Sequence, residues 1–141
     1  MRVQIVFESR GGKTAKTAAA VAGALREAGH DVALSTVAEA RPEDAAGADL
    51  LVVGAWTEGF VLFGVGPARA TRSWLERLPS LEGRRAAVFC TYAFAPRGTL
   101  DIMAKALSGH GASVVARKAF HRRAPEAGAA DFARAAATAA S

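Results

Sequence analysis

The sequence has a single cysteine, Cys90, among its 141 residues. One thiol cannot close an internal disulfide, so nothing implies an oxidising compartment. Long hydrophobic runs are absent as well. The first, Val3 to Phe7, is interrupted by Gln4, and none approaches the ~18 apolar residues that cross a bilayer. There is no basic amino-terminal segment followed by an apolar stretch and a small-residue cleavage site, so a cytoplasmic protein without a membrane partner is expected. His30, His110 and His121 fall in separate turns, away from metal-ligand spacing. Asp101 and Glu58 have no evident partner. Two nucleotide fingerprints are also missing. No GxGxxG follows a strand, because Gly64-Val65-Gly66 is followed by Arg69 where the last glycine belongs.

What is present points to a folded domain. Hydrophobic residues make up 51% and charged residues 22%, without the low-hydrophobicity, high-charge signature of disorder. The length suits one domain over residues 1–141. Eighteen Lys and Arg against thirteen Asp and Glu give a formal net charge of +5. The densest basic cluster, Ala116 to Arg123 (ARKAFHRR), holds no acid and has only Phe120 as an aromatic. It reads as a solvated strand end and turn in preference to a nucleic-acid patch.

Apolar runs at Val3–Phe7, Asp31–Thr36, Leu50–Gly54, Arg85–Thr91 and Ser113–Phe120 read as five short strands. Helical spacing covers Thr14 to Ala28, closed by Gly29. A second helix starts at Pro67, with Ala70, Trp74, Leu75 and Leu78 on one face before Pro79. Leu100, Met103, Ala104 and Leu107 mark a third, and Gly128 to Ala140 a fourth. A single turn is expected near Pro42. Strands alternating with helices, and too apolar for a wet face, predict a parallel sheet covered on both sides. In such sheets ligands lie beyond the carboxyl ends of the strands.

Three segments follow those ends. The first, Glu8 to Thr14 (ESRGGKT), invites comparison with the triphosphate loop GxxxxGK(S/T). Gly12, Lys13 and Thr14 match its end, but Phe7 stands where the leading glycine belongs and the turn is too short to wrap a β-phosphate. A short hydroxyl-and-glycine turn opening a helix suits one terminal phosphate, with Ser9 and Thr14 as hydroxyl donors and Gly11 and Gly12 letting the backbone approach. The same residues also describe an ordinary strand-to-helix turn capped by Thr14. The second segment, Ala55, Trp56, Thr57, Glu58 and Gly59, places a tryptophan two residues past a strand end, beside the apolar stretch Phe60 to Val65. That stretch reads as a ligand wall, a partner surface or a satellite core. The third, Thr91, Tyr92, Ala93 and Phe94, repeats the aromatic at the equivalent place. Two aromatics beside a phosphate turn make a slot for a planar ring with a phosphate tail. Cys90, inside its strand, reads as a buried small hydrophobe.

In these segments the chain resembles the flavodoxin family, in its short form, over nearly its whole length. The resemblance implies a flavodoxin-like three-layer sandwich with a five-stranded parallel sheet in order 2-1-3-4-5, non-covalent FMN and electron transfer. The family's phosphate turn, S/T-x-S/T-G-x-S/T, maps onto Ser9, Gly11, Gly12 and Thr14. Its two ring-flanking segments map onto Ala55 to Gly59 and Thr91 to Phe94, with Trp56 and Tyr92 over the ring, Phe94 in reserve, and the backbone of Gly54 to Gly59 beside the flavin. Gly11 departs from the pattern by removing one hydroxyl, a loss of about 1 kcal/mol, while Arg10 and Lys13 add charge. The family is typically acidic and this chain is basic, so an acidic redox partner and a raised reduction potential are expected. Monomer or weak dimer is the expected state. Two other readings share the fold: an FMN-dependent oxidoreductase linked to a quinone or NAD(P)H, and a binding module that has lost the flavin.

Overall fold

The computed structural model describes residues 1–58, 66–96 and 98–141. Strands β1 (Arg2–Glu8), β2 (Asp31–Thr36), β3 (Leu50–Glu58), β5 (Arg85–Tyr92) and β6 (Ser113–His121) form a parallel sheet in the order β2-β1-β3-β5-β6. This is the expected order of the five principal strands. A sixth, the two-residue β4 (Gly66–Pro67), pairs antiparallel with Thr57 and Glu58 of β3.

Side-chain alternation on the central strands divides the core into two layers. Val3, Ile5, Leu50, Val52, Ala87 and Phe89 face α1 (Lys13–Glu27) and α4 (Ala129–Ala140). Val6, Leu51, Val53, Ala55, Ala86 and Val88 face α2 (Arg69–Glu76) and α3 (Thr99–Gly109). β3, buried on both faces from Leu50 to Ala55, has the continuous apolar run that a central parallel strand requires. Trp74 is wholly buried and its indole N–H donates to Ala40 O at 3.0 Å. The turn near Pro42 is a 3-10 helix, Pro42–Gly47.

Three local expectations need correction. β3 continues past Gly54 to Glu58, because Trp56 pairs with Thr91 of β5, and Thr57 and Glu58 pair with β4. Trp56 therefore stands on a strand and not in a loop; Tyr92, likewise, is the last residue of β5. Pro67 does not open α2. It belongs to β4, where a residue without an N–H is tolerated at an edge, and the helix starts at Arg69. On α2 it is Thr71, not Ala70, that turns inward with Trp74 and Leu75. Gly59, Gly64 and the Phe60–Val65 stretch lie outside the described residues.

Candidate functional site

β1 delivers the chain to a turn at Ser9–Gly12 that opens α1. Gly11 and Gly12 have φ of 76° and 89°, left-handed values that favour glycine. A Cβ at either would meet nothing within 4 Å, so the turn faces open space. Ala15 N–H donates to Ser9 Oγ at 3.1 Å. Among the described residues, the N–H groups of Gly11, Gly12, Lys13 and Thr14 find no acceptor. Orphan donors at a helix start, with the positive dipole end behind them, form a ready anion site.

Thr14 sits differently from a solvent-facing donor. It is fully buried, and its hydroxyl shares a 2.7 Å hydrogen bond with Thr91 Oγ1, joining α1 to the end of β5. Ala55 is also fully buried, in the layer under α2 and α3. Gly54 is a glycine for packing reasons: a Cβ there would lie 2.0 Å from Phe89 Cζ.

The turn shares a cleft of about 410 Å3 with Trp56 and Thr57 of β3, Thr91 and Tyr92 of β5, and Ala93. That volume lies within the ~300–1,000 Å3 of small-molecule sites. The guanidinium of Arg10 stands 5.3 Å from the centroid of the Trp56 ring, in cation–π range. Tyr92 packs edge-to-face against His121, with centroids 5.2 Å apart. Phe94 is 87% exposed and does not line the cleft. The Thr57 hydroxyl oxygen is buried next to the Cys90 thiol, its neighbour in the core, and does not open onto the cleft.

Among the described residues, charge in the cleft is of one sign. Arg10 and Lys13 come from the turn, and Arg122, just past β6, closes the other side. Arg122 is the residue that sequence reasoning passed over; the acid-free HRR run was its signal. Among the described residues no carboxylate lines the cleft. The two acids nearest in sequence serve α2. Glu8 Oε1 accepts from both Thr71 N–H and Thr71 Oγ1 at 2.8 Å, and Glu58 Oε2 accepts from Arg69 N–H at 2.9 Å. Carboxylates are favoured at a helix N-terminus, and there they leave the cations unopposed.

Cys90 is wholly buried. Burial pushes its thiol up to about 11, against a smaller opposing pull from the neighbouring Thr57 hydroxyl, so it is no nucleophile at neutral pH. Among the described residues no group of His, Cys, Asp and Glu could hold a metal ion, and no helix is long and apolar enough to cross a membrane.

The residues present fit a mononucleotide carrying a planar ring: open amides and cations for a phosphate, and two aromatics for the ring. Comparison with known proteins agrees in family. The flavodoxin family model matches residues 5–140. Among solved structures, the two-electron reduced flavodoxin of Megasphaera elsdenii superposes with a TM-score of 0.82 at 23% identity, covering 96% of this chain and 98% of that one. Oxidised Flavodoxin 1 from Bacillus cereus gives 0.79 at 20% identity, with 98% of each chain covered. The rubredoxin oxygen:oxidoreductase of Desulfovibrio gigas gives 0.74 at 18% identity, but this chain spans 36% of that one. At these identities the likeness is one of fold. No curated protein is recognisably similar in sequence.

Proposed function

The chain belongs to the flavodoxin family, and from that premise we propose that it is an electron carrier holding one FMN non-covalently in the cleft between Arg10 and Arg122. The observation that carries the reading is the meeting of an open-amide turn and two aromatic side chains in one cationic cleft. In this assignment the N–H groups of Gly11 to Thr14 bind the phosphate, and Arg10 and Lys13 add the charge that compensates for the hydroxyl missing at Gly11. Ser9 acts indirectly, by fixing the first turn of α1 through Ala15 N–H. Thr14 acts indirectly too, by locking that helix to Thr91. Trp56 and Tyr92 exclude water from the two sides of the ring. The backbone after Ala55, as far as Glu58, borders the ring in this assignment.

FMN supplies the redox chemistry, and the protein supplies binding, orientation and the electrostatic field. That division suits this cleft, which among the described residues brings together no acid–base pair and no activated thiol. A carrier must also meet its partner, and a chain with net charge +5, whose cations ring the cleft, is matched by an acidic protein.

The test is spectroscopic. Purified protein incubated with FMN and desalted should retain one flavin per chain, show the visible bands of bound oxidised flavin, and cycle reversibly with dithionite and air. Steady-state oxidation of NADPH by a quinone should stay at the level of free FMN. Failure to retain or quench FMN would contradict the cofactor assignment; rapid turnover would replace the carrier by an enzyme.

A further inference from the structure

Resting on the FMN reading, we infer that Arg122 is a positioning residue that reads charge on the ring, making this cleft prefer the reduced, anionic form of its ligand. The inference starts from strand order. The phosphate turn follows β1, Trp56 stands on β3, Tyr92 ends β5, and Arg122 follows β6, with these four strands adjacent in that sequence across the sheet. Three strand spacings of about 4.8 Å separate the first from the last, roughly 14 Å. The cleft thus has cations at both ends and aromatics between them. Lys13 and the open amides serve a phosphate at the β1 end, while the Arg10 guanidinium reaches over Trp56. Arg122 stands beside Tyr92, at the far end of the aromatic pair.

The backbone holds Arg122 there. Its N–H donates to Tyr92 O at 2.9 Å, the next N–H, of Arg123, donates to His121 Nδ1 at 3.1 Å, and Thr17 Oγ1 of α1 donates to Pro125 O in the same turn. No carboxylate pairs with Arg122 among the described residues. An unpaired cation held beside an aromatic slot favours whichever state of the ligand carries negative charge there. FMN that takes up two electrons and one proton gains one negative charge on its ring, while the phosphate is unchanged. Arg122 therefore discriminates between the two states and Arg10, over Trp56, adds to the same preference, whereas Lys13, on the phosphate turn, favours both alike.

The experiment compares affinities of apoprotein for oxidised FMN and for dithionite-reduced FMN under anaerobic conditions, in wild type, Arg122→Ala, Arg122→Lys and Arg122→Glu, at low and at high salt. Arg122→Ala should lower the ratio of reduced to oxidised affinity about threefold, the scale of one exposed charge pair, with oxidised binding nearly unchanged. Arg122→Glu should lower it further, Arg122→Lys should restore most of it, and the differences should narrow at high salt. Circular dichroism and melting of each variant should match wild type, as Arg122 is exposed. An unchanged ratio in Arg122→Ala and Arg122→Glu, with FMN still bound by wild type, would overturn the inference and leave the carrier reading standing. Wild type that binds neither form would overturn both.

Discussion

Replacing Gly54 by alanine tests how the fold sets up the cleft. The added Cβ would stand 2.0, 2.3 and 2.4 Å from Cζ, Cε2 and Cε1 of Phe89, far inside van der Waals contact. Phe89 cannot step aside cheaply. It is fully buried, and its ring lies edge-to-face against Phe120 and Phe132 with centroids 6.0 and 6.1 Å away. Overpacking of this kind costs about 1–3 kcal/mol, and displacing the ring forfeits edge-to-face pairs worth roughly 0.5–1.5 kcal/mol each. A loss of about 3 kcal/mol is expected, from a total of roughly 5–15 kcal/mol for a domain. Urea unfolding followed by circular dichroism measures it as a lower midpoint at constant m. A double-mutant cycle locates the cause: in a Phe89→Leu background, Gly54→Ala should cost at least ~1 kcal/mol less than in wild type. Because Trp56 is two residues along the same strand, FMN affinity should fall with stability. A Gly54→Ala variant destabilised by under ~0.5 kcal/mol, or by the same amount in both backgrounds, would refute the packing argument.

Truncating the aromatics should separate those that line the cleft from the one that does not. Trp56→Ala and Tyr92→Ala should each weaken FMN by roughly 1–2 kcal/mol, about five- to thirtyfold, in fluorescence-quenching titrations, while Phe94→Ala, at an 87% exposed position, should change affinity less than about twofold. Cys90 should resist iodoacetamide in native protein at pH 8 and react on unfolding, since a thiol pushed up to about 11 is roughly one part in a thousand thiolate there. The same shift fixes a pH dependence. The unfolded thiol ionises near its ordinary 9.0 and the folded one near 11, so stability falls by about 2 kcal/mol as pH rises between those values; Cys90→Ala should lack that component.

Much of this architecture is legible in the chain because it is locally written. β2 runs over Asp31–Thr36 as its apolar pattern predicts, and α1 ends before Gly29. What was not legible depends on partners distant in sequence. Whether β3 stops at Gly54 or runs to Glu58 is decided by Thr91 and by the Gly66–Pro67 edge, and no local propensity encodes that pairing. That the hydroxyl of Thr14 also ties α1 to β5 depends on Thr91, 77 residues away. Arg122 reads as a solvated turn residue until the β5–β6 register sets Tyr92 beside His121 and the turn beyond them at the cleft. Glu8 and Glu58 show the converse: the sequence sets them at the cleft's edge, and the fold turns them to α2.

The central claim is that the Gly11–Thr14 turn holds a phosphate and the aromatic pair holds a ring in one cleft. Calorimetric titration of the apoprotein with FMN and with riboflavin, which lacks the phosphate, tests it most directly. The account predicts one site for each, with FMN at least about tenfold tighter and the gap shrinking as salt rises, because Arg10 and Lys13 contribute charge. Equal affinity for the two would contradict the phosphate role of the turn, and binding of neither would contradict the site altogether.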